Sequence, residues 1–372
     1  MRILVLASTF PRYHGDHVPE FVFELSKNIA RHDTVFVLAP HDYKSKLKEN
    51  FAGLSIYRFI YFPPWFETLA YRGGMVNRFK ESFVAKVQLP FYLVSLFFYS
   101  LYILLVKRID IIHAHWLFPQ GLIAVMLKWV TGKKVIITTH GGDIAILNNL
   151  IARKILGPII LNADGVTYVS SVNLALAEKH IGTGVLTNGT ILQMGVYLPK
   201  NTASPAHKSI RLLFIGRLVT IKGVDVLLKS LRTALQLNSS FHLVVLGDGP
   251  QKDELVELTQ NLGITKNITF KGYTTGQEKE NCFREADIVI VPSIIDIHGY
   301  QEGLPVVALE AMSYGKPLIA TKTGGLSELI NESNGVLVEH SNIQNLSDAI
   351  ISLASNPQKM RALSKGALRT AK

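Results

Sequence analysis

Cysteine is almost missing from this chain: Cys282 is the single one in 372 residues. That excludes a disulfide framework and any cysteine-built zinc or iron–sulfur site. Charge is sparse as well, at 18% of residues, against roughly a quarter in ordinary globular proteins. With 48% apolar residues, the composition excludes disorder, collagen and coiled coil and leaves material for a large core. The N-terminal stretch MRILVLASTF has one positive charge and five apolar residues before a serine, too short for the apolar core of a leader peptide. The expected setting is reduced and cytoplasmic. A dinucleotide fingerprint is absent: Gly247-Asp248-Gly249 runs into Pro250, Gln251 and Lys252, without the third glycine. No helix-turn-helix, zinc-finger or RNA-binding signature accompanies the dispersed basic residues, so nucleic acid is not an expected partner.

What is there is uneven. The net charge is +11, from 39 Lys and Arg against 28 Asp and Glu. Residues 1–195 hold 20 basic and 12 acidic groups, and the remainder 19 and 16. Lys44 to Lys86 alone contains eight basic and three acidic residues, together with Phe59, Tyr61, Phe62, Trp65, Phe66 and Tyr71. A basic, aromatic segment of this kind suits nucleic acid, an anionic substrate or an anionic membrane surface, and it also suits a plain solvated face with ordinary core aromatics.

Short apolar runs alternate with helix-length amphipathic segments. Strands are expected at Ile3–Ala7, Val35–Ala39, Leu54–Phe59, Ile111–Ala114, Val135–Thr139 and Val166–Val169 in the first half. The second half repeats the pattern at Leu212–Ile215, His242–Leu246, Ile268–Lys271, Ile288–Val291, Pro317–Ala320 and Val336–Val338. Apolar strands separated by helices make parallel sheets covered on both faces, hence two doubly wound α/β domains. Tyr197–Ser209, with two prolines and small polar residues, reads as the linker. The expected division is 1–196, a linker at 197–209, and 210–372, with ligands at the carboxyl ends of the strands.

Val87–Val106 has 20 residues without a charge. Pro90 leaves 16 residues after it, which at 1.5 Å each reach roughly 24 Å, short of a ~30 Å hydrocarbon core. The expectation is a buried helix or one lying at an interface, interrupted at Pro90.

The densest candidate chemistry lies in Val291–Ile330. A strand ends at Pro292, a loop carries Asp296, His298, Glu302 and Gly303, and a helix starts near Leu304–Pro305, with Glu310 two turns on. Proline suits a first helical turn, and the free N–H groups of such a junction suit an anion. Thr323-Gly324-Gly325 forms a second glycine turn. Arg217 and Lys222 follow the strand ending at Ile215; two cations there suit a diphosphate, and equally a solvated loop. In the first half, His140-Gly141-Gly142-Asp143 follows a strand, His113, His115 and Trp116 follow the preceding one, and Gly15 lies after the first. No carboxylate at zinc-like spacing joins these histidines, so no metal site is expected.

Glu302-Gly303-Leu304-Pro305 with Glu310, Arg217 with Lys222, His140 in its His-Gly-Gly-Asp turn, and Gly324-Gly325, in this order, resemble the retaining glycosyltransferases of family 4 (glycosyltransferase group 1). The resemblance implies the GT-B fold, two Rossmann-like domains facing each other across a cleft, with the acceptor held by the first and the donor by the second. It implies a metal-independent transfer from a nucleoside diphosphate sugar to a glycan or lipid-linked acceptor in cell-surface polysaccharide or glycolipid synthesis. No cofactor is implied, and the place of work is the cytoplasm, at the inner face of the membrane.

By the same resemblance, Glu302, His140, Arg217 and Lys222 are the catalytic candidates. Gly15, Arg217, Lys222, Gly303, Leu304 and Glu310 bind the donor, Glu310 through the ribose. Three features depart from the family pattern. Gln193-Met194-Gly195-Val196-Tyr197 replaces the usual Asn-Gly-Val-Asp, Gly15 stands alone where a glycine pair is common, and the chain ends at Lys372 inside a basic helical segment where a longer crossover helix is expected. A sugar-nucleotide epimerase, or a donor- or glycan-binding subunit without turnover, shares the architecture; the intact Arg217, Lys222, Glu302 and Glu310 favour a transferase.

Overall fold

The computed structural model describes residues 1–372 apart from 14, 15, 17, 19, 20, 44, 72–74, 76, 77, 80, 81, 200–208, 238, 239 and 298. Two compact units emerge, Met1–Val169 with Leu174–Leu192, and Ser170–Asn173 with Gln193–Lys372. Most of the expected linker falls in 200–208, outside the described residues.

The first unit is built on β1 (Arg2–Leu6), β2 (Thr34–Pro40), β3 (Lys48–Phe51), β4 (Leu54–Phe59), β5 (Ile111–His115), β6 (Lys134–Thr138), β7 (Gly165–Tyr168) and β8 (Gly189–Ile191), ordered β3-β4-β2-β1-β5-β6-β7-β8. Among the described residues of this unit, only the β3–β4 pairing is antiparallel. Its helices are α1 (Phe21–Ile29), α2 (Phe83–Lys107), α3 (Leu122–Thr131), α4 (Leu150–Asn162) and α5 (Ser171–Ile181), the first residues of α5 grouping with the second unit. Leu4, Leu38, Ile112, Ile137 and Val166 from the strands are buried against Tyr92, Leu96, Ile103, Ala124 and Ile160 from the helices. Strands closed on both faces in this way become continuous apolar runs, which is why they were readable.

The second unit repeats the scheme with six parallel strands: β9 (Ile210–Ile215), β10 (Phe241–Leu246), β11 (Ile268–Gly272), β12 (Ile288–Val291), β13 (Leu318–Thr321) and β14 (Gly335–Val338), ordered β11-β10-β9-β12-β13-β14. The helices are α6 (Val224–Leu237), α7 (Lys252–Asn261), α8 (Gly276–Glu285), α9 (Val306–Ser313), α10 (Ile343–Ala354) and α11 (Pro357–Ala371). The final helix α11 packs on α9 of its own unit. In both sheets the strand order reverses beside the first strand, between β1 and β5 and between β9 and β12. Loops leaving the carboxyl ends at such a point diverge to opposite faces and leave a crevice for ligands.

The helix α2 corrects the expected break, running unbroken through Pro90. Pro90 and Lys86 are both exposed, so the carbonyl deprived of its donor lies on the outward side, where loss of one internal hydrogen bond is cheapest. The helix after Glu302 begins at Val306, with extended Pro305 as its cap, one residue later than expected.

Candidate active site

In the second unit the reversal point is furnished by the loop after β9 and the loop after β12. The first carries Arg217, exposed, and Lys222, half-buried in a short turn at Thr220–Lys222. The second brings Glu302 back to them. Lys222 Nζ donates to Glu302 Oε1, and Ser293 Oγ, just past β12, donates to Oε2. The two loops are also stitched by Ile294 N–H to Ile221 C=O at 2.9 Å. A lysine and a glutamate 80 residues apart in sequence therefore share one spot at the ends of neighbouring strands.

Glycine is required where the next loop meets this one. Gly324 has φ +47, and a Cβ there would lie 1.9 Å from the Glu302 carbonyl oxygen. Gly325 N–H donates to Gly303 C=O at 2.5 Å, and Gly324 N–H to the Gln301 side chain at 2.8 Å. The Thr323–Gly325 turn thus fixes the backbone that carries Glu302 and Gly303. Gly303, Leu304 and Pro305 are buried. Glu310, on α9, accepts from Lys279 Nζ of α8 at 2.6 Å, both groups a little over a quarter exposed.

At the equivalent place in the first unit three imidazoles cluster. His113 and His115 lie at the end of β5, and His140 follows β6. His115 Nδ1 and His140 Nε2 are 3.2 Å apart in a ring-to-ring hydrogen bond, the rings stacked with centroids 5.3 Å apart. Trp116 and Phe21 flank His140 at 4.6 and 4.9 Å between centroids. Burial pushes His140 down to about 3 and His113 to about 4, with His115 also well below the ordinary value. All three are therefore neutral at pH 7. His113 Nε2 bonds Thr138 Oγ1 at 2.8 Å. Asp143 shapes the turn around His140, accepting the backbone N–H groups of His140 at 3.0 Å and Leu117 at 3.2 Å, and burial raises its carboxyl. Among the described residues no group of three or more His, Cys, Asp or Glu could hold a metal ion.

Gly15 lies outside the described residues. Its neighbour Arg12 grips Asp16 through Nε and Nη2 at 2.8 and 2.7 Å and reaches Asp42 at 3.3 Å. Sequence reading missed Arg12, Ser293 and Lys279. Ser293 directly follows the Val291-Pro292 strand end, which was its only signal.

Two family models match, "Glycosyltransferase Family 4" over residues 18–189 and "Glycosyl transferases group 1" over residues 200–370. The chain belongs to the group 1, family 4 glycosyltransferases. This glycosyltransferase is 29% identical to a GDP-mannose-dependent monoacylated α-(1-6)-phosphatidylinositol monomannoside mannosyltransferase of Corynebacterium glutamicum, over 66% of this chain and 67% of that one. Among solved structures it resembles sucrose-phosphate synthase from Thermosynechococcus elongatus, with TM-score 0.78 and 20% identity over 100% of this chain and 94% of that one. It also resembles Anabaena HepE in complex with UDP, with TM-score 0.73 and 16% identity over 100% and 94%. The glycosyltransferase thus has the GT-B fold, two Rossmann-like α/β domains.

Proposed function

We propose that this glycosyltransferase takes its sugar from a nucleoside diphosphate sugar and passes it, with retention and without a metal ion, to a glycan or lipid-linked acceptor in cell-surface polysaccharide or glycolipid synthesis. The observation that carries the reading is the pairing of Lys222 with Glu302 at the strand-order reversal of the second sheet. Cations on the loop after β9 neutralise a diphosphate and stabilise it as a leaving group, Arg217 by paired contacts and Lys222 as a point charge. An arriving diphosphate competes with Glu302 for Lys222, which releases the Glu302 carboxylate toward the donor sugar. The backbone N–H groups of Gly303 and Leu304 serve the donor, while Pro305 has none to give. Glu310 takes the ribose hydroxyls by exchanging Lys279 for them.

His140, in the first unit, has the character of a neutral hydrogen-bonding group for an uncharged sugar. The relatives support a nucleotide donor: the Corynebacterium enzyme is named as GDP-mannose-dependent, and Anabaena HepE holds UDP. No cofactor is needed for this chemistry, and the work belongs to the cytoplasm, beside the membrane that carries the acceptor.

The test is release of UDP and GDP from a panel of nucleotide sugars by wild type and Glu302→Ala, with and without a membrane extract. Donor-selective release that needs both the extract and Glu302 supports glycosyl transfer. Thermal stabilisation by a donor without release supports a binding subunit instead. Neither release nor stabilisation defeats the roles given to Arg217, Lys222 and Glu310.

A further inference from the structure

The helix α2 is built inside out for a helix in water. Its inward side includes Gln88, Tyr92 and Ser100, all buried, with Gln88 bonding Phe66, Thr68 and Leu69. Its outward stripe, Phe83, Val87, Phe91, Val94, Phe98, Tyr102 and Leu105, is exposed along its length, Phe98 by 61% and Leu105 by 68%. The spacing of three and four residues keeps all seven on one side, over about 33 Å at 1.5 Å per residue. Further apolar side chains are exposed on α3, which packs on α2, and on α4, which packs on α3: Met126 and Trp129, and Leu150, Ile151 and Ile155. A patch of this extent marks an interaction surface.

We infer that this face docks on an anionic lipid bilayer, lying in its interface. Three observations select that occupant. The helices α2, α3 and α4 contain Lys86, Lys107, Lys128, Arg153 and Lys154 but not one Asp or Glu; Lys128 is paired with Asp164, while Lys86 on α2, Arg108 at its end and Lys154 beside Ile151 and Ile155 on α4 are exposed. Cations ringing an apolar face draw it to anionic headgroups. Tyr99 on α2 and Trp129 on α3 are exposed, as is Trp65 in the short turn Pro64–Phe66 that precedes α2, and these side chains favour the headgroup level. A second copy of the chain is a poorer occupant, because a two-fold interface sets the same basic border against itself. Although α2 is long and apolar enough to cross a membrane, Tyr92, Leu96, Ile103 and Leu104 are committed to the core of the first unit, so it lies along the surface. The inference deepens the proposed function and rests on it only for the identity of the acceptor.

The test uses the full chain with vesicles of phosphatidylcholine, alone or with about one third phosphatidylglycerol. Wild type is expected to co-sediment with the anionic vesicles, and brominated lipid to quench its tryptophan emission. The double variant Phe98→Glu/Leu105→Glu is expected to lose binding at least about tenfold. Lys86→Ser/Lys154→Ser is expected to lose less, and only on anionic vesicles. Unchanged melting and unchanged thermal stabilisation by a nucleotide sugar show that the variants keep the fold and the donor site. No vesicle binding by wild type, or equal binding by the double variant, overturns the inference. So does a wild-type dimer in solution that Phe98→Glu/Leu105→Glu dissociates, which hands the face to a second copy. Nucleotide release is read separately, so failure of the docking surface and failure of the transferase reading remain distinct.

Discussion

The two units reverse strand order at the same place, beside their first strand, yet furnish that reversal point in opposite ways. In the second unit the groups are charged and partly hydrated: Lys222 with Glu302, and Lys279 with Glu310. In the first they are imidazoles stacked on one another and on Trp116, stripped of charge by burial. Ion pairs that keep some contact with water can exchange one partner for an incoming anion. A buried neutral imidazole keeps its hydrogen-bonding direction but has no charge to offer. The same topology thus makes one site for binding an anion and another for orienting an uncharged polar group.

Removing charge from the second unit is the strongest way to break that comparison. Lys222→Ala is expected to lower nucleotide release about 10²–10³-fold, as loss of one transition-state donor does, with little change in melting temperature. Steady-state release assays and a thermal melt check both. Next comes backbone strain. Gly324→Ala drives a Cβ against the Glu302 carbonyl and is expected to cost about 2–4 kcal/mol. In the first unit Gly132→Ala, also at positive φ but with nothing within 4 Å, costs only about 1 kcal/mol. Urea denaturation of the two variants measures the difference.

Acid should act on the first unit through its histidines. Their folded pKa values lie below the unfolded value, so the unfolded chain binds more protons and stability falls as pH drops below about 6.5. The fall continues toward about 4 for His113 and about 3 for His140. Between pH 7 and pH 5 it amounts to roughly 1–2 kcal/mol per histidine. His140→Gln is expected to flatten the slope of stability against pH; an unchanged slope contradicts buried neutrality. The smallest effect is expected from Glu310→Gln, a rise of about three- to tenfold in donor KM at nearly constant kcat, because its partner Lys279 remains partly solvated.

The sheets were legible because burial on both faces writes strands as apolar runs, Ile288–Val291 and Leu54–Phe59 being matched residue for residue. The strand β3, Lys-Glu-Asn-Phe at a sheet edge, carries no such run. The helix α8 is nearly all polar, burying only Cys282 and Phe283, so Lys279 could not be placed opposite Glu310. The path of α2 through Pro90 was hidden because a proline's cost depends on which way its missing partner faces. Lys222 and Glu302 were each readable as candidates, but their meeting was not, since it depends on β9 and β12 being neighbours. His115 was readable only as a histidine at a strand end with no metal site expected; its stacking on His140 is a property of adjacent strands.

A carbonyl oxygen occupies the space that a side chain at Gly324 would need. The Thr323 turn and the Glu302 loop are consequently riveted together, and neither can be lengthened, shortened or swung aside alone. Variation in loop length, the usual raw material for new specificity on a shared scaffold, is closed off at this joint. Change that spares the Glu302 loop has to come through other connections, such as the one after α3, where Gly132 faces open space.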